Sequence, residues 1–298
     1  MNTPSFPNQG LTHTRAVWLM VAVTLMWSIA GVVTRHLEHA RSFEVTFWRS
    51  LFTVLSLLVI LPAVQGRAAL TTLRGGGRAL WLSGLCWSVM FTAFMVAITL
   101  MPVANVLVTM AVGPLFTALF AWVFIGHHIA PRTWGAIVMA GLGIGWMYGS
   151  QMAGLPVVGT LVALCVPVAA AVNWTVVQHA QQHGHAVNLM PAVLIGAVLS
   201  SLATLPLAWP LQATGHDLAL LALLGVVQLA IPCVLAVRCG QVLKAPELAL
   251  LGLLEVIFGI LLAWVGAGER PAQAVLMGGA LVIGALVFNE LLAWKEEK

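Results

Sequence analysis

Apolar residues run along the chain in long blocks that short polar breaks separate. A bilayer core of about 30 Å needs about 20 mostly apolar residues in a helix. By that length the pattern predicts ten membrane-spanning helices with only short loops between them. We number them spans 1 to 10, and they cover residues 16–37, 43–65, 79–100, 103–125, 132–150, 156–179, 188–209, 217–241, 246–267 and 272–294.

Two pairs of segments repeat along the chain. PLFTALFAWVFIGHH at 114–128 and VIFGILLAWVGAGER at 256–270 share six identical positions at an offset of 142 residues, among them both tryptophans. VLSLLVILP at 54–62 matches VLSSLATLP at 198–206 at an offset of 144 residues. We therefore predict two five-helix repeats, residues 1–151 and 152–298. Because five is odd, the second repeat enters the membrane inverted relative to the first.

Inverted repeats that meet at an axis in the membrane plane are typical of secondary transporters, because two related packings can open one midplane site to either side. The predicted fold is therefore all-α and integral to the membrane, with ten transmembrane helices in two inverted five-helix repeats around a central cavity.

Composition supports the membrane assignment. Of 298 residues, 61% are hydrophobic and 7% are charged, far fewer charges than a water-exposed surface carries. The net charge of +4 comes from basic residues in loops, where topology explains them better than a nucleic-acid partner does. With the N-terminus inside, nine basic residues lie at cytoplasmic ends and three lie outside. This bias predicts that both termini are cytoplasmic.

Several motifs resemble the EamA-type family of the drug/metabolite transporter superfamily. Pro114 lies in span 4, and GLLEVIFGILLAWVGAGE at 252–269 resembles the span 9 of that family. Gly268-Glu269 keeps the family's Gly-Glu helix end, whereas Gly126-His127 replaces the acid. The resemblance implies export of small metabolites or drugs across the bacterial inner membrane. Within the family, the subgroup it suggests is the amino-acid exporters, including those for aromatic amino acids.

Three of the twelve tryptophans lie within the spans rather than near their ends. Trp27, Trp87 and Trp174 each adjoin a small polar residue, among them Ser28 and Asn173. Such an aromatic wall with a few hydrogen-bonding groups suits an amphipathic solute. The alternative is that these tryptophans face lipid or pack between helices. We expect the other nine to form interfacial belts.

Two charged residues and the amide of Gln228 lie well inside predicted spans. Glu255, in the middle third of span 9, is a candidate to bind a solute amine or exchange a proton, and the alternative is a packing acid. Gln228, one turn before Pro232, is a candidate cavity-lining residue. For Arg49 we expect a structural role, in which its side chain reaches the outer interface or pairs with Glu44 or Glu38.

Small residues recur at helical spacing on two spans. Gly141, Gly145 and Gly149 on span 5 predict a surface for close helix packing, and so do Gly252, Gly259 and Gly266 on span 9.

No metal or cofactor is expected. The four cysteines lie in apolar segments, and the three histidines of HAQQHGH at 179–185 have no Cys or carboxylate near them in sequence.

The leading hypothesis is a carrier for a small molecule, an amino acid or a related metabolite, that works as a monomer in the lipid bilayer. An intramembrane lipid-modifying enzyme would need acids, histidines or cysteines clustered at one depth, so we predict that the protein is not an enzyme. A channel and a carrier for drugs remain as alternatives of the same architecture. The candidate binding residues are Trp27, Ser28, Trp87, Asn173, Trp174, Gln228 and Glu255.

Overall fold

A computed structural model describes residues 11–66, 77–125, 130–149, 157–182, 190–239, 242–243, 251–252 and 254–296. These residues form helices and loops and no strand. The α-helices are α1 His13–Thr34, α2 Ser42–Gln65, α3 Gly77–Leu100, α4 Val103–Met110, α5 Gly113–Ile125, α6 Pro131–Gly149, α7 Val157–Gln182, α8 Met190–Ala208, α9 Gly215–Leu223, α10 Ile231–Cys239, α11 Leu254–Ala267 and α12 Gln273–Glu296.

The prediction of an all-α membrane protein is confirmed. Six described helical segments are long and apolar enough to cross a bilayer, and three further apolar helices are shorter. Each of the ten predicted spans contains a described helix. Spans 4 and 8 are composite: span 4 is α4 followed by α5, and span 8 is α9, a π-helical segment Leu224–Ala230 and α10.

Both composite spans change their winding just before a proline. Helix α4 ends at Met110, four residues before Pro114, and the π-helical segment ends two residues before Pro232. Proline has no N–H to donate to the carbonyl four residues earlier, so a regular helix cannot continue unchanged through it. Inside lipid these irregular backbone segments must face protein or a wet cavity.

Helix packing pairs the first five spans with the last five. Helix α1 packs on span 8 and on α11, while α7, its counterpart in span 6, packs on α3 and on span 4. Helix α2 packs on α8, and α6 packs on α12. Each contact has a counterpart in the other half: the pairing of span 1 with span 8 corresponds to that of span 6 with span 3, and the pairing of span 1 with span 9 corresponds to that of span 6 with span 4. A twofold relation between the halves requires such matching pairs. The boundary predicted at residues 151 and 152 lies outside the described residues.

The glycine surface predicted on span 5 is wrong at Gly141 and Gly145. Both lie in open space, whereas a Cβ added at Gly143 would lie 2.7 Å from the carbonyl oxygen of Gly278 in α12. The face of α6 that packs on α12 is defined by the buried positions Ala136, Ala140, Gly143 and Met147. It is a different face of the helix from the predicted one, which carries Gly141 and Gly145. The surroundings of Gly149 lie outside the described residues.

On span 9 the glycine prediction is confirmed at two positions and wrong at one. A Cβ at Gly259 would lie 2.4 Å from Leu107 in α4, and a Cβ at Gly266 would lie 2.5 Å from Val32 in α1. Gly252 has open space around it. Close packing on this span is thus confined to the part of α11 that contacts α1 and span 4.

The contact between Gly143 and Gly278 generates a prediction about stability. Gly143→Ala forces two backbones apart and lowers the free energy of unfolding by about 1–3 kcal/mol. Gly141→Ala, two residues earlier in open space, leaves it unchanged or raises it by up to about 1 kcal/mol, because alanine favours the helix. The midpoint of thermal unfolding in detergent, followed by tryptophan fluorescence, measures both variants. Equal midpoints for the two would contradict the packing described here.

Candidate functional site

A buried guanidinium lies between spans 2, 3 and 8. Arg49 of α2 is 1% exposed. Its Nη1 donates to Oε1 of Gln228 over 3.1 Å, and its Nη2 donates to the backbone carbonyl of Phe91 over 3.0 Å. The guanidinium carbon also lies 5.7 Å from the centre of the Phe91 ring, where the ring face attracts a cation. These contacts join three spans around one positive charge.

The expected outward path for Arg49 is wrong. Its side chain points to span 8 and span 3, since their amide and carbonyl oxygens lie within hydrogen-bonding distance. Neither expected partner pairs with it: Oε1 of Glu44 accepts the backbone N–H groups of Gln212 and Ala213, each over 2.8 Å, and its Oε2 has no partner in the described structure. Glu38 is half-exposed in the loop beyond α1.

Gln228 extends the network to span 1. Its Nε2 donates to the backbone carbonyl of Trp27 over 3.4 Å, so one amide side chain binds spans 1 and 2 to span 8. Gln228 belongs to the π-helical segment, and such widened turns are frequent at functional sites. Three residues earlier, a Cβ at Gly225 would lie 2.8 Å from the carbonyl oxygen of Arg49. Glycine is therefore required there for span 8 to approach span 2.

Ser28 and Glu255 meet through the backbone. The Ser28 hydroxyl lies 2.6 Å from the Thr24 carbonyl and 3.1 Å from the Glu255 carbonyl, which joins span 1 to span 9. Because Ser28 follows Trp27, the structure brings four predicted site residues together where spans 1, 8 and 9 meet. These residues are Trp27, Ser28, Gln228 and Glu255.

Asn173 of span 6 and Trp87 of span 3 form a second group. The Ser83 hydroxyl donates to Oδ1 of Asn173 over 2.6 Å, and the Trp87 ring, one turn along, packs 5.4 Å from the Phe91 ring. Nε1 of Trp87 and Nδ2 of Asn173 are buried and have no hydrogen-bond partner in the described structure. Trp174 lies in α7, and its side chain falls outside the described residues.

Three hydroxyls that the sequence did not single out join spans 2, 3 and 7. The Ser50 hydroxyl donates to that of Ser200 over 3.0 Å, and the Thr92 hydroxyl lies 2.9 Å from the same oxygen. Ser and Thr between apolar residues are common in spans, so their sequence pattern alone did not distinguish them. The repeat offered one signal for Ser200: it aligns with Ser56 in the matched segments, so the same position carries a hydroxyl in both halves.

An ion pair closes the predicted outer face, which carries the loops at 35–41, 101–102, 209–214 and 268–272. Arg35 and Glu269 approach to 2.9 Å between Nε and Oε2. Arg35 also donates to the carbonyls of Ile98 and Met101 over 2.9 and 3.0 Å. Glu269 accepts the N–H of Val103 over 2.6 Å. We name this set of five residues the outer latch, and it ties together spans 1, 3, 4 and 9.

A second set of contacts closes the same face between the halves. Asp217, at the start of α9, is fully buried. Its carboxylate accepts the backbone N–H groups of Glu38, His39 and Ala40 over 2.8 to 3.0 Å and caps its own helix with Thr214. The loop between spans 1 and 2 is therefore fixed to span 8.

Directly inward of Arg49, between spans 2, 7 and 8, the described contacts are apolar. Leu57, Val193, Cys233 and Val234 line a narrow gap there that is too small to admit a water molecule. Cys233 lies near both Arg49 and the Trp27 indole. Arg49, Gln228 and Ser28 are each no more than 3% exposed, so the described structure is closed around the network. The histidines at 183 and 185 lie outside the described residues.

Ten helical segments in two halves, packed around a buried polar network, define a multi-pass membrane transport protein. The chain belongs to the EamA-like transporter family, whose sequence profile matches residues 14–149 and again residues 157–290. The family resemblance is thus confirmed, and the protein is a transporter rather than an enzyme.

Curated relatives and a solved structure agree with this assignment. The chain is 25% identical over 280 residues to the pseudopaline exporter CntI of Pseudomonas aeruginosa, in strains UCBPP-PA14 and PAO1; the match covers 91% of this chain and 94% of the exporter. A solved crystal structure is similar with a TM-score of 0.63 and 18% identity, over 96% of this chain and 100% of the other. At that identity the similarity shows the fold alone.

The shared hydroxyl network generates a prediction. Ser200→Ala leaves the buried hydroxyls of Ser50 and Thr92 without their common partner, and it lowers the free energy of unfolding by about 1–3 kcal/mol. The matched control is Ser56→Ala, since Ser56 donates only to the Phe52 carbonyl of its own helix. Its effect is smaller than about 0.5 kcal/mol. Thermal unfolding in detergent compares the pair, and a larger loss for the Ser56 variant would contradict the network.

Proposed function

We propose that the protein is a bacterial inner-membrane carrier that exports small metabolites, most specifically amino acids including aromatic ones. It works by alternating access, with both termini in the cytoplasm. The observation that carries the proposal is the buried network of Arg49, Gln228 and Trp27 between spans of the two halves. Polar groups at this depth are costly in lipid and mark solute pathways in transport proteins.

The lining of the network supports a partly aromatic solute. The Phe91 ring lies beside the Arg49 guanidinium, and the Trp87 ring packs against Phe91. Trp27 contributes its backbone carbonyl to Gln228. Aromatic faces beside a few fixed hydrogen-bonding groups suit an amphipathic metabolite. The residues proposed to contact the solute are Trp27, Ser28, Trp87, Asn173, Trp174, Gln228 and Glu255. The relative CntI is named for the export of another small metabolite, pseudopaline.

Orientation follows from the basic residues, since nine lie at the face that holds the termini and three at the opposite face. On this assignment the outer latch faces the periplasm, and the solute reaches the network from the cytoplasm. Opening of the latch then releases it outward. One chain suffices for this cycle, because the network lies between its own two halves.

Uptake into proteoliposomes tests the transport proposal. Vesicles with the purified protein are given labelled L-phenylalanine, L-tryptophan, L-leucine, L-histidine and L-glutamate in turn. We expect saturable flux of at least one aromatic amino acid above that of protein-free vesicles. Flux of none of the five above the protein-free level would contradict the amino-acid proposal.

The outer latch generates a prediction about gating. Glu269→Gln weakens its bonds to Arg35 and Val103 by about 1 kcal/mol, which corresponds to about a fivefold larger population open at the outer face. The readout is the rate at which an impermeant maleimide added to intact cells labels a cysteine at position 28. The four native cysteines are replaced by alanine in this background.

The matched control for the latch is Arg270→Gln on the same face, because Arg270 is exposed and forms no hydrogen bond to the latch in the described structure. We expect no change in the labelling rate for this variant. If both variants labelled at the rate of the parent, the latch would have no role in closing the outer face.

A further inference from the structure

The charge of Arg49 has no counter-charge in the described structure. Its hydrogen-bond partners are a neutral amide and a backbone carbonyl, and no described carboxylate forms an ion pair with it. An unpaired buried cation is costly, and the cost is greater within a bilayer than at a surface. An anion that binds at this junction of four spans neutralises the charge and removes that cost.

The same guanidinium has unused donors. Arginine carries five N–H donors in a planar fork, and the two described hydrogen bonds of Arg49 come from its two terminal nitrogens. Its Nε is buried without a partner, as are Nε1 of Trp87 and Nδ2 of Asn173. Buried donors are nearly always satisfied in folded proteins. The Phe91 ring contacts both the Arg49 guanidinium and the Trp87 ring, so two of these unsatisfied donors lie near each other and indicate a ligand rich in acceptors. A buried acceptor, Oε2 of Glu44, is also unsatisfied in the described structure, but it lies nearer the outer end of α2.

The surroundings leave a way in from one side. The outer latch and the Asp217 contacts close the predicted outer face above Arg49. Below it, Leu57 and Cys233 border a narrow gap with only apolar walls, and Cys233 lies near the guanidinium. Separation of the side chains that line this gap breaks no described hydrogen bond, so the gap is the route by which we expect a solute to reach Arg49 from the predicted inner face.

We propose that Arg49 is the subsite for the carboxylate of the transported solute. The planar fork of arginine matches a carboxylate with two parallel hydrogen bonds, and the ion pair neutralises the buried charge. Gln228 is a positioning residue, because its Oε1 holds Nη1 and its Nε2 holds span 1. This proposal rests on the proposed function and narrows its substrates to carboxylates.

Paired probes test the subsite on the unmodified protein. 3-Phenylpropionate is compared with 3-phenylpropionamide, and L-phenylalanine with L-phenylalaninamide, through the thermal stabilisation of the purified full chain and uptake into proteoliposomes. We expect the acid of each pair to stabilise the protein and to be taken up at concentrations at least about tenfold lower than those its amide requires. Equal potency of acid and amide would overturn the proposal, and so would the inactivity of both acids.

A cationic dye separates the two proposals. If ethidium crosses the proteoliposome membrane through the protein while neither acid is preferred, transport stands and the Arg49 subsite fails. If neither the dye nor any of the four paired probes moves or stabilises the protein, both proposals fail.

Variants then assign the preference to Arg49. Arg49→Lys keeps the charge but not the fork, so its preference for the acid falls from about tenfold to about twofold or threefold. Gln228→Glu places a fixed carboxylate against the guanidinium, so the chain folds with an internal ion pair and loses the preference. Arg41→Gln, an exposed arginine at the start of α2, is the matched control and keeps the parent ratio of acid to amide.

The ratio distinguishes binding from structure. If Arg49 only held the helices together, these variants would change the unfolding temperature and leave the ratio of acid to amide unchanged. A Gln228→Glu protein that folds and keeps the parent ratio would overturn the proposal.

Discussion

The structure depends on one constraint, that a polar group inside a bilayer must find its partner within the protein. Several of the described side-chain hydrogen bonds join different spans. Ser28 binds span 9, Ser83 binds span 6, and Ser200 binds spans 2 and 3. Apolar packing alone does not favour helix contacts over lipid contacts, so such bonds and close glycine contacts determine which helices are neighbours.

The two repeats share a backbone plan and differ in chemistry. Ser56 bonds within its own helix, whereas its counterpart Ser200 joins three spans. Gly113-Pro114 begins α5 after the break from α4, whereas the counterpart Glu255-Val256, in the first turn of α11, carries an acid in place of glycine and proline. A symmetric pair of halves supports two related packings, while these differences place the charged and hydrogen-bonding groups near spans 1, 2, 8 and 9. Arg49 and Gln228 are the clearest case, since their contact joins the first half to the second.

Much of the fold was predictable because lipid imposes long apolar helices and the repeat at offsets of 142 and 144 residues divides the chain in two. The candidate site was less predictable from the sequence than the fold. Trp27, Ser28 and Gln228 were selected for polarity within a span, and the structure joins them. Arg49 was misjudged, because the distance along one helix gives its depth but not the direction in which its side chain points. Gly141 and Gly145 failed for a similar reason: their spacing defines a face of the helix, and only the neighbouring helix decides which face packs.

The account's central claim is that solute binds between the halves and crosses as they alternate, and counterflow measures this most directly. Proteoliposomes are loaded with an excess of unlabelled L-phenylalanine and diluted into a trace of the labelled compound. A carrier that binds one solute at a time exchanges label for unlabelled solute, so we predict that internal label rises transiently above its equilibrium level and then falls. Label that equilibrates through the protein without this overshoot would contradict alternating access and indicate an open channel.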